Sequence, residues 1–499
     1  MKERPDFMKR SSGILCHISS LPSAYGIGTL GRAAYDFADF LAAAKQRYWQ
    51  VLPLGPTGYG DSPYQCSSAF AGNPYFIDLS LLAERGLLDE AALSALDWGS
   101  DPANVDYGKI YAHRSAVLHE AFQRGRAQDA GAVREFRQQN RDWLEGYALF
   151  CAVKAHFQMR SWDAWDEDIR LRTPEGIEKY RALLSEEIEY HIYVQYLFFS
   201  QWNALRDYLH RRGISVIGDL PIYVPYDSAD VWEHPELFAL DGARRPGLVA
   251  GVPPDYFSRT GQLWGNPLYD YARMAEDGYL WWRKRIAAAG QLFDVVRIDH
   301  FRGFDSYWAV PFGETTAVNG RWMEGPGMAL VGALKEACPE VSIIAEDLGF
   351  LTPSVRQLLS QSGLPGMRVL QFGLHPGEDS MHLPHNCIHH CVYYTGTHDN
   401  DTVQGWLDSA SPEDVAFAVD YLNLSEREGL CFGMARGVWA SVADLALVQI
   451  QDVLELPGSA RMNTPGTPAG NWRFRLLPGM LNEGLAKRMA YYAALYGRG

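Results

Sequence analysis

The chain contains no long apolar stretch. None of its 499 residues belongs to a run approaching the roughly 20 consecutive apolar residues that a transmembrane helix needs. Residues 1–7 carry charge, but the apolar segment that a secretory signal peptide places after such a start does not follow. We therefore expect a protein that neither crosses a membrane nor is exported, and that acts in the cytoplasm.

Cysteine is scarce, and basic residues are outnumbered. The seven cysteines are scattered without a CxxC pair, which argues against both a disulfide framework and a thiolate zinc site, and we expect them to be reduced. Lysine and arginine total 45 against 60 acidic residues, so the net charge is −15. This charge opposes binding to nucleic acid or to an anionic membrane, and it favours an uncharged substrate.

The most informative feature that is present is a set of acidic residues, each placed just after a short apolar, β-branched run. Asp299, Glu346 and Asp399 hold these positions. Parallel strands of a barrel point their C-terminal ends at one active site, where two carboxylates can break a glycosidic bond. A single Asp after a strand is also a common helix cap or turn residue. However, Arg297 precedes Asp299 by one strand period and so faces the same side.

Eight segments have the composition of buried parallel strands, which are nearly continuous apolar runs. With 47% hydrophobic residues, the chain can bury a core large enough for them. Helical patterns separate many of them, at 33–46, 280–289, 328–337 and 355–359. Repeated βα units in this number predict an α/β fold, a (β/α)8 TIM barrel. The predicted strands are 13–19, 49–54, 216–224, 295–299, 342–346, 367–372, 392–395 and 445–450.

A long interruption separates the second predicted strand from the third. Between about 79 and 212, charged and aromatic residues recur at helical spacing. We interpret 79–212 as an inserted, mainly helical subdomain, and 1–78 together with 213–499 as the catalytic barrel with long βα loops. We find no internal repeat or flexible linker that would divide the chain into independent modules.

Loops predicted after the strands combine turn residues with aromatic, amide and carboxylate side chains. Sugar rings have apolar C–H faces and polar edges, so they suit aromatic platforms beside such partners. The alternative is that the aromatic residues only pack the loops. Their concentration in βα loops favours a binding cleft. The loops are 55–64 with Tyr59, Asp61, Ser62 and Tyr64, 251–257 with Pro253, Asp255 and Tyr256, and 262–267 with Trp264 and Asn266.

Two further segments leave alternatives open. Residues 458–467 form either an ordered turn whose Arg461, Asn463 and Asn471 reach the site or a solvated loop. A metal site is the other alternative, because imidazole and carboxylate side chains are metal ligands. Its residues would be His398, Asp399, Asn400 and Asp401 with Asp299, His300 and His17. No HExxH or EF-hand spacing accompanies them, and we predict no metal site.

Together these residues resemble the 4-α-glucanotransferases, called amylomaltase in bacteria and disproportionating enzyme in plants, which belong to the α-amylase clan of barrels. The likeness covers nearly the whole predicted barrel in order, and the helical insertion matches less recognisably. We expect no β-sandwich domain after the barrel, and this expectation also fits the family. The three motifs that carry the resemblance most strongly are Arg297-Ile298-Asp299-His300-Phe301-Arg302-Gly303, Ala345-Glu346-Asp347-Leu348-Gly349 and Gly396-Thr397-His398-Asp399-Asn400-Asp401-Thr402.

The resemblance implies a role for each matching residue. Asp299 corresponds to the nucleophile, Glu346 to the general acid/base and Asp399 to the carboxylate that fixes sugar hydroxyls in the distorted transition state. Arg297 would keep Asp299 ionised. The remaining residues of the implied substrate site are Tyr59, Asp61, Ser62, Asp219, Pro253, Asp255, Tyr256, Trp264, Asn266, His300, His398, Asn463 and Asn471.

The implied reaction is transfer of α-1,4-glucan segments from a maltooligosaccharide donor to the 4-OH of an acceptor glucan or glucose. Its partners would be α-1,4-glucans such as maltose, maltooligosaccharides, amylose and glycogen-derived chains, with no cofactor, and the protein would be a monomer or weak homo-oligomer. The segment 246–265 is a candidate lid that keeps water out. The alternatives are an α-glucan hydrolase on the same barrel and a catalytically silent glucan-binding protein.

Overall fold

Two sheets organise the computed structural model, which describes residues 10–58, 60–254, 258–467 and 469–499. The described strands, in chain order, are β1 (Ser11–Leu15), β2 (Tyr48–Gln50), β3 (Ser215–Leu220), β4 (Leu248–Val252), β5 (Gln262–Pro267), β6 (Val295–Ile298), β7 (Ser306–Pro311), β8 (Arg321–Glu324), β9 (Ser342–Ala345), β10 (Gly366–Val369), β11 (Cys391–Tyr394) and β12 (Leu445–Gln449).

The larger sheet closes into a barrel. Its eight strands pair in the order β10-β11-β12-β1-β2-β3-β6-β9, and all of these pairs are parallel. The two end strands meet where the Ala345 N–H, on β9, donates to the Pro365 carbonyl just before β10, at 3.0 Å. Each of the eight predicted strands overlaps one strand of this sheet, and the (β/α)8 prediction is confirmed.

Helices follow most barrel strands and fill the long connection between β2 and β3. None of the helices in the described ranges is long and apolar enough to cross a membrane. Their bounds are α1 (Arg32–Ala43), α2 (Leu79–Glu84), α3 (Glu90–Ala95), α4 (Tyr107–Gly125), α5 (Ala130–Gln139), α6 (Leu144–His156), α7 (Glu167–Arg170), α8 (Pro174–Leu183), α9 (Ser185–Arg211), α10 (Ala229–Glu233), α11 (Tyr271–Glu276), α12 (Leu280–Leu292), α13 (Gly327–Ala337), α14 (Pro353–Ser362), α15 (Val403–Ser409), α16 (Pro412–Leu422), α17 (Leu430–Ala440), α18 (Ile450–Val453) and α19 (Glu483–Leu495).

A second sheet is antiparallel, and two of its strands, β4 and β5, lie where we predicted loops and part of a lid. Its strands pair in the order β5-β4-β7-β8. Ala250 and Ala309 pack towards the barrel core, whereas Val249 and Val310 form a small separate cluster on the other face. The loop predictions for 251–252 and 262–267 were therefore wrong. Pairing between the strands satisfies their backbone hydrogen bonds, and the alternation of side chains places one face of the sheet against the barrel.

The barrel interior changes character along the strand axis. Side chains from all its strands except β1 form a buried apolar cluster that includes Tyr48, Ile217, Val295, Ile344, Val369 and Leu447. Two residues beyond these six residues, on the same face, the side chain is polar and buried, whereas β11 reaches Gly396 at the matching position. These positions are Gln50, Asp219, Arg297, Glu346, Gln371 and Gln449. The apolar layer thus fills the barrel, and polar groups collect at the C-terminal ends of the strands.

Candidate active site

Arg297 occupies the centre of the polar layer. It pairs in register with Asp219 on the adjacent parallel strand, so both side chains point into the barrel. Its Nη1 donates to both Asp219 oxygens, at 2.8 and 2.6 Å, and to Oδ1 of Asp299 at 3.0 Å. The side chain of Asp219 is fully buried, that of Arg297 is 5% exposed and that of Asp299 is 27% exposed. The buried cation is therefore compensated by two carboxylates, of which only Asp299 reaches solvent.

Asp299 and Glu346 are adjacent because of strand register. Ile298 pairs with Ala345, and each acid is the next residue along its strand. The Glu346 N–H donates to the Ile298 carbonyl at 3.0 Å, which extends the ladder past the strand ends. Neighbouring strands lie about 4.8 Å apart. The structure therefore brings together the two carboxylates that the sequence predicted as a catalytic pair.

Backbone amides fix the Glu346 side chain. Its Oε2 accepts from the His300 N–H at 2.8 Å, and its Oε1 accepts from the Leu348 N–H at 2.7 Å. His300 has φ 51° and ψ 47°, a left-handed conformation that few residues other than glycine adopt. This conformation belongs to the turn directly after Asp299, and the same turn presents the amide to Glu346.

The two acids share an electrostatic environment that retains a proton. Burial raises the pKa of Asp299, Arg297 opposes that rise, and the neighbouring carboxylates add to it. Burial also raises the pKa of Glu346, and Arg297 and the amide hydrogen bonds from Leu348 and His300 oppose that rise. Because the hydrogen bond from Arg297 goes to Asp299, it favours the arrangement in which Asp299 is ionised and Glu346 carries the proton. A nucleophile beside a proton donor is what cleavage of a glycosidic bond with retention requires.

Asp399 approaches from the loop after β11 and is 45% exposed. Its Oδ1 accepts from Nδ2 of Asn463 at 2.6 Å and lies 3.3 Å from Nε2 of His398. Nη2 of Arg461 donates to the Asp399 carbonyl at 2.5 Å, and the Asn463 N–H donates to the His398 carbonyl at 3.1 Å. The turn that contains Arg461 and Asn463 is therefore an ordered part of the site rather than a solvated loop. Asn471 instead bonds to Thr464 and Thr467 within the same turn.

Tyr64 connects the two halves of this network. Its hydroxyl donates to Oδ2 of Asp219 at 2.7 Å, and its ring stacks on His398 with centroids 5.0 Å apart and planes at 18°. Burial lowers the pKa of His398, so the ring is neutral and its Nε2–H is assigned to Asp399. From the sequence, Tyr64 is one of two tyrosines in the predicted loop 55–64, and this pattern does not distinguish it from Tyr59.

His300 and Trp264 form an aromatic corner next to the acids. Their rings meet edge to face, with centroids 4.9 Å apart and planes at 85°. Trp264 lies on β5 and is partly exposed, so the antiparallel sheet contributes to the wall of the site. Burial lowers the pKa of His300 to about 3, which keeps this ring neutral and able to donate or accept a hydrogen bond with a sugar hydroxyl.

The other predicted binding residues lie at varying depth. Asp61 accepts a hydrogen bond from the Tyr111 hydroxyl, and Oγ of Ser62 accepts from the Tyr64 N–H at 3.2 Å. Asn266 is buried on β5, with Oδ1 3.5 Å from Nε2 of Gln65. Pro253 follows β4 and is partly exposed. Tyr59, Asp255 and Tyr256 lie outside the described residues.

Nothing in the described ranges supports the metal alternative. No group of three or more His, Cys, Asp or Glu side chains there is arranged to hold a metal ion. His17, which that alternative included, is buried, and its Nδ1 accepts from the Leu52 N–H at 3.2 Å. Burial lowers the pKa of His17 to about 3.

Known proteins match this chain along nearly its whole length. Residues 16–480 match the family model described as 4-alpha-glucanotransferase. The 4-alpha-glucanotransferase of Clostridium butyricum is 47% identical over 484 residues, which are 97% of this chain and 99% of that protein. The 4-alpha-glucanotransferase of Thermus thermophilus is 48% identical over 486 residues, which are 95% of this chain and 96% of that protein.

A solved structure agrees with these sequence matches. Amylomaltase from Streptococcus agalactiae, in complex with acarbose, superposes with a TM-score of 0.96 at 39% identity, covering 98% of this chain and all 100% of that one. Agreement at this level extends from the sequence to the arrangement of the whole barrel, helical insertion included. The chain belongs to the 4-alpha-glucanotransferase family.

Proposed function

We propose that the protein transfers α-1,4-glucan segments from a maltooligosaccharide donor to the 4-OH of an acceptor glucan or glucose by a retaining double displacement. Family membership makes it an enzyme acting on α-glucans. The observation that carries the mechanism is the pair of adjacent acids, of which Asp299 contacts Arg297 at 3.0 Å. This contact favours the state in which Asp299 is the ionised nucleophile and Glu346 is the protonated acid.

In the first displacement, an Asp299 carboxylate oxygen bonds to C1 of the donor sugar while the glycosidic C1–O4 bond breaks. Glu346 transfers its proton to the departing O4, so the leaving glucan is a neutral alcohol. The product is a glycosyl ester of Asp299 with Glu346 ionised. In the second displacement, Glu346 removes the proton from the acceptor 4-OH, whose oxygen attacks C1 and releases the Asp299 carboxylate.

Asp399 has a separate role in this scheme. Its carboxylate is fixed by Asn463 at 2.6 Å and remains 45% exposed, which leaves oxygen lone pairs for sugar hydroxyls. We assign Asp219 and Tyr64 to positioning rather than to sugar contact, because the side chain of Asp219 is fully buried against Arg297. Direct substrate contacts are assigned to Tyr59, Asp61, Ser62, Pro253, Asp255, Tyr256, Trp264, Asn266, His300, His398 and Asn471.

Incubation with maltotriose tests whether the glycosyl-enzyme passes to sugar or to water. Transfer produces glucose together with a ladder of longer maltooligosaccharides, which chromatography separates. Release of reducing ends without longer products would identify an α-glucan hydrolase, and absence of any product would identify a silent glucan-binding protein. Either outcome would contradict the proposal.

The proposal also covers the compartment, the oligomeric state and the domain organisation of the protein. We propose a cytoplasmic enzyme, and the support is chemical: all seven cysteines are free thiols. We also propose a monomer or weak homo-oligomer that needs no cofactor, with 79–212 as a helical subdomain inserted in a catalytic barrel of 1–78 and 213–499. Sedimentation velocity over a range of concentrations tests the oligomeric state.

A further inference from the structure

A single buried carboxylate holds both ends of the loop that carries Asp399. This loop runs from the end of β11 to the start of α15. Oγ1 of Thr395 donates to Oδ2 of Asp452 at 2.5 Å, and the Val403 N–H donates to Oδ1 of the same carboxylate at 2.8 Å. Asp452 is fully buried on α18, directly after barrel strand β12. Asp399 lies midway between the two tethered residues.

We propose that Asp452 is a positioning residue for Asp399. It sets the distance between the two stems of the loop, which are the ends at Thr395 and Val403, and thereby fixes the position of the Asp399 carboxylate that contacts the sugar. The proposal rests on the role assigned above to Asp399. Asp452 itself has no exposed surface and does not touch the substrate.

Other contacts explain why the stems decide where Asp399 lies. The tip of the loop is a rigid turn, in which Oδ1 of Asn400 accepts from the N–H and the hydroxyl of Thr397 at 2.9 and 3.0 Å. Nε2 of Gln371 and Nε2 of Gln449 donate to the Asp401 carbonyl at 2.9 and 3.4 Å. A rigid tip moves as a unit, so a change in stem spacing displaces the Asp399 carboxylate without unfolding the turn.

The segment after β12 also supports the second loop that meets at Asp399. Nε2 of Gln451 donates to the Ala460 carbonyl at 3.2 Å, just before the turn that supplies Arg461 and Asn463. Adjacent residues, Gln451 and Asp452, therefore hold the loops on the two sides of Asp399. This gives a function to the polar residues that interrupt the apolar run 445–453.

Burying a carboxylate without a cation is costly, which argues that Asp452 is not simply filling space. Burial raises its pKa to about 7, and the hydrogen bonds from Thr395 and Val403 oppose that rise. An apolar side chain would pack at lower cost. The Asp452 carboxylate accepts from a side-chain hydroxyl at one end of the loop and from a backbone amide at the other, which an apolar side chain cannot do.

A double-mutant cycle tests the proposal. The variants are Asp452→Ala, Asp399→Asn and their combination, and the measured quantity is kcat/KM for α-maltotriosyl fluoride, whose activated leaving group keeps slow variants measurable. We expect Asp452→Ala to lower kcat/KM about 10- to 100-fold alone and less than about 3-fold in the Asp399→Asn background, because the residue it positions has already lost its function. The same fold-loss in both backgrounds would overturn the proposal.

Two further variants separate positioning from loss of structure. Asp452→Asn keeps an oxygen for the Val403 N–H and an NH₂ for the Thr395 oxygen, so we expect it to recover most of the activity. Thr395→Val removes one tether alone and remains informative if Asp452→Ala does not fold; its loss should also disappear with Asp399→Asn.

A control uses Asp129 in the helical region, a buried carboxylate that accepts from the Tyr193 hydroxyl at 2.7 Å and, unlike Asp452, pairs with Arg85 at 2.7 Å. Asp129→Ala should lower the melting temperature while leaving kcat/KM within about 3-fold of wild type. A loss in this variant as large as that in Asp452→Ala would overturn the proposal. If Asp399→Asn alone has wild-type activity, the proposed role of Asp399 fails and this inference fails with it.

Discussion

At the residue scale, the proposed chemistry depends on a difference between two carboxylates at adjacent strand ends. Asp299 is hydrogen-bonded to Arg297, whereas Glu346 accepts from the amides of His300 and Leu348. A guanidinium stabilises an ionised partner far more than a neutral one, so Arg297 favours the ionised form of Asp299, the proposed nucleophile. Substitutions that change charge but keep shape isolate these roles.

Asp299→Asn should abolish turnover while the protein stays folded. The carboxamide has nearly the shape of the carboxylate but cannot act as an anionic nucleophile. We expect kcat to fall by several powers of ten, roughly 10⁴-fold or more, with unchanged circular dichroism. The measurement is glucose release from maltotriose by enzyme purified apart from host glucan-acting activities. Wild-type turnover in this preparation would remove Asp299 from the role.

Glu346→Gln should separate the two tasks of the acid/base. A glucan fluoride has a good leaving group and needs no proton, so Asp299 can still attack it. The acceptor hydroxyl has then lost its base, and the glycosyl-enzyme should accumulate. Intact-protein mass spectrometry should show a mass increase of one glycosyl unit, and peptide mapping should place it on Asp299. An adduct on another carboxylate, or normal activity on natural glucans, would contradict this assignment.

The pH dependence of kcat/KM should report the same pair. Activity is lost at low pH as Asp299 is protonated and at high pH as Glu346 is deprotonated. Burial raises the pKa of both groups, so both limbs should lie above the usual carboxyl range near 4. With Glu346→Gln and a glucan fluoride, formation of the intermediate should keep the acidic limb and lose the basic one. A basic limb that persists in this variant would assign it to a different group.

At the element scale, the barrel strands could be predicted because buried parallel strands are continuous apolar runs. Two strands of the antiparallel sheet could not, since Gly251 on β4 and Gly265 and Pro267 on β5 give these strands the composition of turns. Their pairing becomes favourable only where one face can rest on the barrel. Contacts between distant segments could not be predicted from the sequence either. Tyr64 and Asp219 are 155 residues apart, and local pattern does not determine which partner a side chain meets.

The sheet should matter for substrate binding through Trp264. Trp264→Ala removes the ring that meets the His300 edge at 4.9 Å and the aromatic face proposed for the sugar. We expect KM for maltotriose to rise about tenfold, with Trp264→Phe closer to wild type. Tyr491→Ala, at a 62% exposed aromatic residue on α19, is the control and should leave KM unchanged. Equal KM values for Trp264→Ala and wild type would exclude Trp264 from the binding site.

At the scale of the whole molecule, stability and chemistry occupy successive layers of the same barrel. The apolar layer buries residues such as Ile217, Val295 and Ile344, and the polar layer two residues further on contains Asp219, Arg297 and Glu346. Ion pairs and hydrogen bonds within the polar layer compensate the desolvation of its charged groups. The barrel can therefore bury charge near the C-terminal ends of its strands. The proposed two-carboxylate mechanism can therefore use side chains of the barrel alone, without a metal ion.

Full activity should therefore survive removal of divalent ions. The proposed nucleophile, proton donor and counter-ion are all side chains of this chain, and none of the proposed steps requires a Lewis acid. We expect extensive dialysis against EDTA, followed by assay in chelator-treated buffer, to leave kcat and KM for maltotriose within about 2-fold of their starting values. Melting temperature measured on the same samples separates a catalytic ion from a stabilising one. Activity that is lost on dialysis and restored by a divalent cation, at constant melting temperature, would show that His398, Asp399 and Asp401 should be re-examined as ligands.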